Sequence, residues 1–454
     1  MNINNIHNVY FIGIGGIGMS ALARYFKNIG KNVAGYDKTP TQLTDELQEL
    51  GINIHFADDI AKIEHNYLEK ENTLIVITPA IPKSHSEWNY FISNGFTIKK
   101  RAEVLGIITQ NTFCFAVAGT HGKTTTSSIL AHILYESKVD VISFLGGIVE
   151  NYNSNLIGNG KTVTVVEADE FDRSFLHLHP NVACITSIDA DHLDIYENKT
   201  AFEDSFKEFA LKVASNNLYI THNLPLQGIK VCVENKKEPS NLDIVAYNIR
   251  IENGNYVFHV KYHLEVIKDI VFSLPGHHNI YNALMALAMA KSYGVTNNDI
   301  KSALQSFKGI RRRFSYQIKT EKLIYIDDYA HHPTEINAVY QAVKERYADK
   351  KNIAIFQPHL FTRTRDFLNE FANSLSQFDE ILLLDIYPAR ELPIEGVTSE
   401  KLLEKINNEN KKLITKDSLF KEIINSNAVV YITIGAGDIG EMVKDIKNTL
   451  NEKA

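Results

Sequence analysis

The sequence predicts an α/β protein with three domains, and three observations carry that prediction. Its 454 residues are enough for about two to four domains of roughly 100–200 residues each. Short apolar runs typical of buried strands alternate with helix-compatible runs, the order that gives mostly parallel sheets with right-handed crossovers. Two of the apolar runs lead into glycine-rich turns, at residues 13–18 and 119–122. We expect the domains to span residues 1–106, 107–313 and 314–454.

Composition and charge exclude several classes of protein. Apolar residues make up 44% of the chain and charged residues 22%, as in ordinary globular proteins. A net charge of −7 argues against general nucleic-acid binding. No apolar run approaches the length of a membrane span, and the polar start is unlike a signal peptide. The three cysteines lack C-x-x-C spacing, so we expect reduced thiols, a cytoplasmic location, and no nucleic-acid or membrane partner.

The first domain opens with a strand–turn–helix pattern. The apolar run Val9–Ile12 leads into Gly13–Gly18, which reads G-x-G-x-x-G, and a second strand ends at Asp37. This is a Rossmann-like fingerprint, in which a diphosphate lies on the turn and the acidic residue holds a ribose or base. Thr78 follows a later strand, at the carboxyl end where open α/β sheets bind ligands. From these residues alone the default ligand is NAD. The candidate binding residues are Gly13, Gly15, Gly16, Gly18, Asp37 and Thr78.

The second glycine-rich turn is a phosphate-loop (P-loop) candidate. Gly119–Thr126 lies between an apolar run and a helix-compatible run, so backbone N–H groups and a helix start can hold phosphate. Lys123 is placed to reach the β- and γ-phosphates, and the Thr124 hydroxyl can bind Mg²⁺. The usual spacing requires a glycine where Val117 stands, so the loop is shorter or differently shaped. The candidate phosphate-binding residues are Gly119, Thr120, His121, Gly122, Lys123, Thr124 and Thr125.

Acidic residues follow two later strands of the middle domain. Glu167 ends the β-branched run 162–166, where a Walker-B-type carboxylate holds Mg²⁺, although a solvated strand end is the alternative. His192 lies among acids at residues 189–194, after a buried run, and could supply a metal or phosphate contact, although a lone histidine is usually structural. The candidate metal ligands are Thr124, Glu167 and His192, and the candidate catalytic residues are Lys123, Glu167 and His192.

For several segments, the sequence leaves more than one interpretation open. Residues 217–273 alternate in short runs with an Asn-Gly turn, which predicts a small antiparallel excursion. The start of the next helix, His278–Asn282, either presents a binding face or only caps and packs the helix. The run Lys100–Arg101 is either functional or a solvated charge run. The hinge 309–314 contains a basic run, with Arg313 either a phosphate-side contact or solvated.

The third domain repeats the strand–loop–helix order and is predicted to be Rossmann-like. A strand at 323–326 ends in Asp327–Glu335, and a strand at 353–356 ends in the loop Gln357–Arg365. Polar residues again gather at the carboxyl ends of strands, where a ligand is expected.

Taken together, these motifs identify a family. The chain resembles the Mur ligases, ATP-dependent enzymes that form amide bonds in peptidoglycan synthesis. The resemblance runs from Gly13–Gly18 to Gly435–Gly437. Its motifs appear in the order Gly119–Thr126, Glu167–Glu170, Asp189–Tyr196, His278–Asn282, Asp327–Glu335 and Phe356–Arg365.

The resemblance implies a role for each domain. The first domain would bind a UDP-sugar rather than NAD. The middle domain would bind ATP and Mg²⁺, with His278, Asn279 and Asn282 against adenine and Asp327 or Asp328 near the ribose. The third domain would bind the amino acid through Tyr329, His331 and Arg363.

One departure from the family pattern is at Leu360, where many relatives carry an arginine. If that arginine normally clamps the amino-acid carboxylate, Arg365 or another cation must replace it here. Some relatives also use a carbamylated lysine, for which Lys207 is a weak candidate.

The implied reaction joins L-alanine to the lactyl carboxylate of UDP-N-acetylmuramate through an acyl phosphate, with release of ADP and phosphate. The small-molecule partners would be UDP-N-acetylmuramate, L-alanine and ATP, and the protein would be a monomer or homodimer. One alternative is a sister ligase that attaches a peptide or another amino acid. The others are an NAD-dependent oxidoreductase and a non-catalytic nucleotide-binding regulator.

Overall fold

The computed structural model describes residues 5–189, 196, 199–389 and 391–453. These residues form three separate β-sheets flanked by helices, so the predicted three-domain α/β class is confirmed. The chain forms two compact units: residues 1–252, 256–272 and 280–307 carry the first two sheets, and residues 253–255, 273–279 and 308–454 carry the third. No helix within the described ranges has the length and apolar character needed to cross a membrane.

The first sheet has five parallel strands in the order β3-β2-β1-β4-β5. Its strands are β1 (Asn8–Ile12), β2 (Asn32–Tyr36), β3 (Asn53–His55), β4 (Thr73–Ile77) and β5 (Thr97–Lys100). The helices are α1 (Ile17–Asn28), α2 (Gln42–Glu49), α3 (Ser86–Ser93) and α4 (Arg101–Thr109). Ile12 pairs with both Tyr36 and Ile77, so β1, β2 and β4 end at one level. The segments that follow them therefore meet at one edge of the sheet.

The second sheet has ten strands in the order β15-β14-β13-β12-β11-β10-β6-β9-β7-β8. The strands are β6 (Phe113–Ala118), β7 (Val141–Val149), β8 (Ser154–Ile157), β9 (Val163–Glu167), β10 (Val182–Ile185), β11 (Leu218–Thr221), β12 (Ile229–Val233), β13 (Ile244–Glu252), β14 (Asn255–Tyr262) and β15 (Glu265–Phe272). Its helices are α5 (Lys123–Glu136), α6 (Lys199–Ala210), α7 (His277–Ser292) and α8 (Asn297–Ser306). The β6 strand lies between β9 and β10 and is parallel to both. The phosphate-loop candidate thus emerges between the ends of two neighbouring strands.

The antiparallel excursion is smaller than the sequence predicts. The Asn-Gly turn lies between β13 and β14 as expected, with positive φ angles at Asn253 and Gly254 that suit such a turn. The β14 and β15 strands are antiparallel. However, β11 and β12 continue the parallel sheet, so the prediction is wrong for residues 218–233.

The third sheet has six strands in the order β16-β17-β21-β18-β19-β20. They are β16 (Ser315–Lys319), β17 (Ile324–Asp328), β18 (Asn352–Phe356), β19 (Glu380–Leu383), β20 (Lys411–Leu413) and β21 (Val430–Ile434). The helices are α9 (Pro333–Arg346), α10 (Phe361–Asp366), α11 (Leu368–Leu375), α12 (Ser399–Lys405), α13 (Lys416–Asn425) and α14 (Val443–Lys453). Among the described strands of this sheet, β16 alone is antiparallel to its neighbour. Ile434 pairs with both Asp328 and Phe356, which aligns the ends of β17 and β18.

A carboxyl group is buried inside the first sheet's helical layer. Glu87 on α3 is fully buried. It accepts a hydrogen bond from the Tyr10 hydroxyl at 2.8 Å and one from the Asp59 backbone N–H at 3.3 Å. The His55 ring lies 3.4 Å away. Burial raises the pKa of Glu87 to about 7, with Asp58 and Asp59 adding to the effect and the Tyr10 hydrogen bond opposing it.

We expect Glu87→Gln to change how stability depends on pH. Between the ordinary carboxyl pKa and about 7, folded Glu87 holds a proton that the unfolded chain releases, so stability falls as pH rises through this window. Glu87→Gln removes that loss. Relative to wild type, its free energy of unfolding should therefore rise by about 1–3 kcal/mol between pH 5 and pH 8. Urea unfolding at both pH values measures this, with the exposed Glu71→Gln as a charge control. A difference between variant and wild type that does not change with pH would contradict the expectation.

Candidate functional site

The glycine-rich turn of the first domain is assembled from three strand ends. The Asp37 carboxylate accepts the backbone N–H of Gly15 at 2.7 Å, and a Cβ at Gly13 would lie 2.8 Å from the Thr78 methyl group. The predicted residues after β1, β2 and β4 are therefore brought together. The Asp37 carboxylate therefore lies against the turn. It places a negative charge where the sequence predicts a diphosphate.

The phosphate-loop candidate needs two glycines with positive φ. Gly119 has φ +132° and Gly122 has φ +82°, and a Cβ at either would collide with a neighbour: Thr186 in the first case and Asn282 in the second. Such angles are unfavourable for residues with side chains. The α5 helix begins at Lys123, directly after the loop, so its free N–H groups face the loop. The local structure is therefore that of an anion-binding loop even though position 117 is valine.

The strand beside the loop fixes its shape. The Ser187 hydroxyl accepts the backbone N–H of His121 at 2.9 Å, and the Thr186 hydroxyl donates to the His121 carbonyl at 2.5 Å. The Thr120 hydroxyl donates to the Asp189 carbonyl at 2.9 Å. These bonds come from the segment that follows β10. Thr186 and Ser187 are residues that the sequence reasoning missed, and their place just after a buried strand, parallel to β6, is the signal that could have found them.

Lys123 is held by a buried carboxylate. Its ammonium donates to Glu170 at 2.8 Å and to the loop carbonyl of Gly119 at 2.7 Å. Glu170 is 1% exposed. Burial by itself would lower the pKa of Lys123, but the carboxylates of Glu170 and Asp169 outweigh burial and raise that pKa. Lys123 therefore stays charged, which the predicted contact with phosphate requires. The sequence motif includes Glu170 but assigns it no role.

Two oxygen ligands suited to Mg²⁺ lie side by side at the start of α5. The Thr124 hydroxyl is 3.1 Å from the Glu167 carboxylate, which also accepts from Ser127 and from the Gly146 backbone N–H. Magnesium prefers oxygen ligands in an octahedron, whose adjacent oxygens are about 3 Å apart at 2.0–2.1 Å bond lengths. Thr124 and Glu167 therefore fit the ion. His192 lies outside the described residues. Within the described part of the chain, no group of three His, Cys, Asp or Glu side chains is arranged to hold a metal ion.

The three candidate residues at the start of α7, His278, Asn279 and Asn282, have different surroundings in the structure. Asn282 on α7 accepts a hydrogen bond from the Thr126 hydroxyl at 3.2 Å and packs against Gly122, so it supports the phosphate loop. Asn279 is buried and donates to the Pro275 carbonyl at 2.7 Å, while His278 is exposed. Asn279 thus has a local structural bond, whereas His277 and His278 at the start of α7 are exposed. Elsewhere, Lys207 is about half exposed and pairs with Asp204 at 2.8 Å.

In the hinge, Arg312 pairs with Asp327 at 3.4 Å. Arg313, the predicted phosphate-side contact, lies with its guanidinium carbon 5.6 Å from the centroid of the Tyr329 ring. Asp327 also accepts from the Thr433 hydroxyl at 2.8 Å. Asp328 is held by the backbone N–H groups of Phe314 and Ala330, both at 2.7 Å, and burial raises its pKa to about 7. Both carboxylates are buried and bonded. A contact with a ribose, as predicted for Asp327 or Asp328, would require these bonds to rearrange.

The amino-acid candidates cluster at the ends of β17 and β18. The Tyr329 and His331 rings are 5.3 Å apart, and the His331 and His359 rings are 6.1 Å apart. Arg363 donates to the His359 ring at 3.3 Å. Burial lowers the pKa of His331, and Arg363 adds to this effect while Glu335 opposes it. Tyr329, His331 and Arg363 are thus brought together at the ends of these strands, and their contact with an amino acid stays a prediction.

Arg365 does not join this cluster. It is about half exposed and pairs with Asp366 at 2.8 Å. Leu360 has φ +72°, a conformation that is costly for a residue with a side chain and typical of functional loops. A further carboxylate that the sequence reasoning missed, Glu391, accepts from the backbone N–H of Thr362 at 3.0 Å and fixes the start of α10.

Comparisons with known proteins agree along the whole chain. The models described as Mur ligase family, catalytic domain; Mur ligase middle domain; and Mur ligase, glutamate ligase domain match residues 8–112, 117–290 and 312–438. The chain is 67% identical over 454 residues to a UDP-N-acetylmuramate–L-alanine ligase of Flavobacterium psychrophilum, with 100% of both chains covered. It is 46% identical to one of Parabacteroides distasonis, with 99% of this chain and 98% of the relative covered.

Solved structures show the same architecture. A UDP-N-acetylmuramate–alanine ligase of Thermotoga maritima matches with a TM-score of 0.83 at 27% identity, covering 98% of this chain and 100% of that one. A murein peptide ligase of Psychrobacter arcticus matches with a TM-score of 0.69 at 22% identity, covering 98% of each chain, and shows only the shared fold.

The Lys123–Glu170 pair gives a stability prediction. Lys123→Met leaves the buried Glu170 carboxylate without its cation, which should cost about 3–5 kcal/mol. The double variant Lys123→Met/Glu170→Gln removes both charges and should recover most of that loss. Urea and thermal unfolding of the full chain measure the effect. If the single variant were as stable as wild type, or the double variant no better than the single one, the pair would not carry the loop's stability.

Proposed function

Since this chain belongs to the Mur ligase family, we propose that it joins L-alanine to the lactyl carboxylate of UDP-N-acetylmuramate at the expense of ATP. The reaction is a step of peptidoglycan precursor synthesis and takes place in the cytoplasm, where ATP and sugar nucleotides are found. The full-length relative from Flavobacterium psychrophilum, at 67% identity, carries this activity in its name. The observation that supports it most is the Lys123 loop beside Glu167 and Thr124.

In the first step, a lactyl carboxylate oxygen attacks the γ-phosphorus of ATP, and the bond to the β-phosphate oxygen breaks to release ADP. The Lys123 ammonium moves from Glu170 to the phosphates and offsets their charge. The loop N–H groups and the start of α5 hold the remaining phosphate oxygens. Little covalent protein chemistry is needed, so positioning accounts for much of the rate.

Mg²⁺ fits the Thr124 and Glu167 oxygens, and when bound it would neutralise charge on the phosphates. The Glu167 side chain is oriented in advance by the Ser127 hydroxyl and the Gly146 N–H, which both donate to it. This is a supporting shell of the kind that fixes a metal ligand.

In the second step, the amine of L-alanine attacks the acyl-phosphate carbonyl and phosphate leaves. Arg363 is the cation that we assign to the amino-acid carboxylate. Its guanidinium donates to the His359 ring, and its charge helps to lower the pKa of His331. Tyr329 and His331 form the wall next to it. We propose no role for Arg365, which is engaged with Asp366 on the exposed side of α10.

ATP turnover with UDP-N-acetylmuramate across a panel of amino acids tests the proposal. L-alanine should release ADP and phosphate, while other amino acids and a tripeptide should give at least about tenfold lower kcat/KM, the effect of about 1.4 kcal/mol. Lys123→Ala should lose most turnover but still bind UDP-N-acetylmuramate. Faster turnover with the tripeptide would instead identify a peptide-attaching sister ligase.

Arg363 and Arg365 offer a matched pair for the amino-acid site. Arg363→Ala removes a charge-assisted contact, so KM for L-alanine should rise about 10–100-fold. The same change at Arg365, two residues away on the same helix and exposed, should alter KM by less than about threefold. Steady-state kinetics at saturating ATP and UDP-sugar measure both. A larger effect at Arg365 would move the carboxylate site to that side of α10.

A further inference from the structure

A β-bulge in β16 changes the direction in which one lysine points. Tyr316 lies opposite Ile326 and Lys319 lies opposite Ile324, so the register with β17 passes over Gln317. Successive side chains of a strand alternate between its two faces, so residues three apart in a regular strand point in opposite directions. Because of the bulge, Lys319 instead points to the same face as Tyr316. Bulges often aim a side chain in this way beside a functional site.

The end of α9 brings a second cation, Arg346, to this face of the third sheet. The Tyr316 and Tyr347 rings pack on the core cluster that α9 shares with β17. The Tyr347 hydroxyl donates to the Tyr316 hydroxyl at 3.0 Å, and the Lys319 ammonium lies 4.5 Å from the centroid of the Tyr316 ring. We name these four side chains, Tyr316, Lys319, Arg346 and Tyr347, the β16–α9 site.

The β16–α9 site carries two positive charges that are not neutralised. The Arg346 Nη2 atom donates to the Ser273 carbonyl at 3.0 Å, and within the described ranges no carboxylate forms an ion pair with Arg346 or Lys319. Burial lowers the pKa of Lys319, and the charge of Arg346 lowers this pKa further. Two like charges held together in this way would be stabilised by an anion between them.

The donors of the β16–α9 site suit a phosphate group. A guanidinium presents a planar fork of N–H donors that matches phosphate oxygens, and an ammonium adds a point charge. Arg346 has five N–H donors, of which one is used on Ser273. The Tyr316 hydroxyl accepts from Tyr347, so its own O–H can donate to a ligand. Two cations also balance the charge of about −2 on one phosphate group.

We propose that the β16–α9 site binds a phosphate group, carried either by inorganic phosphate or by a small phosphate ester. The site lies away from the amino-acid candidates. Lys319 pairs with Ile324, the first residue of β17, whereas Tyr329 and His331 follow the last one. The α9 helix, Pro333–Arg346, separates the two places by about 20 Å. A phosphate group here would leave the amino-acid site free, and the inference goes beyond the proposed function without resting on it.

Lysine labelling with trace acetic anhydride, read by peptide mass spectrometry of the full chain, tests the site directly. Bound phosphate favours the charged ammonium, which does not react, so millimolar phosphate should slow acetylation of Lys319 at least about threefold. Acetylation of the exposed Lys322 and Lys344 should change by less than about 1.5-fold. Potassium chloride at the same ionic strength should protect none of the three. A parallel series with methyl phosphate distinguishes an ester from the free ion.

Variants of the two cations separate binding from structure. Arg346→Gln should reduce the protection of Lys319 to less than about 1.5-fold, and Arg346→Lys should keep part of it. Lys344→Gln, on the same helix and exposed, is the matched control and should protect Lys319 as wild type does. Lys319→Gln leaves the bond from Arg346 to Ser273 in place. In calorimetry with the Lys123 loop filled by ADP and Mg²⁺, it should raise Kd for phosphate about tenfold.

Each outcome decides the inference. Protection of Lys319 in wild type by phosphate, by methyl phosphate or by both supports it and identifies the source of the phosphate group. No protection by either ligand, or protection that Arg346→Gln retains, would overturn it. A bulge and an inward-pointing lysine also discourage edge-to-edge pairing of strands such as β16. If Lys319→Gln bound phosphate like wild type but aggregated, that protective role would replace the proposed site.

Discussion

The place of β6 between β9 and β10 is the constraint on which the candidate ATP site depends. Because β6 is parallel to both neighbours, with Val117 opposite Glu167 and Ala118 opposite Ile185, the residues that follow all three strands reach the same edge. That single alignment puts the Lys123 loop, the Glu167 carboxylate and the Ser187 hydroxyl within hydrogen-bonding reach. The glycines at 119 and 122 then allow the loop to turn closely against these neighbours.

Near three of the strand ends described here, a cation pairs with a carboxylate. Lys123 rests on Glu170 in the middle domain, and Arg101 rests on Asp169 only one residue away. In the third domain Arg312 pairs with Asp327. Such pairs keep buried charge compensated in the absence of phosphate, and removing one partner is costly. The anionic substrates of the proposed reaction would compete for the same cations.

The sequence predicted the fold class and the main motifs because they depend on local patterns. Alternating runs define the strands, and glycine spacing defines the turns around Gly13 and Gly119. Contacts between segments far apart in sequence could not be predicted from such local patterns. No spacing rule links Thr186 to the loop at His121, or Arg101 to Gly18, since both depend on which strands become neighbours. The ion pair between Arg312 and Asp327 likewise joins the hinge to the end of β17, and no sequence spacing predicts it.

The central claim is that the chain activates a carboxylate as an acyl phosphate. Oxygen-18 in the lactyl carboxylate of UDP-N-acetylmuramate follows that step directly, because the oxygen that attacks the γ-phosphorus leaves with phosphate when the amide forms. With ATP and L-alanine present, one labelled oxygen should appear in each inorganic phosphate, in proportion to the amide produced. Phosphate free of label, while the amide accumulates, would contradict the account.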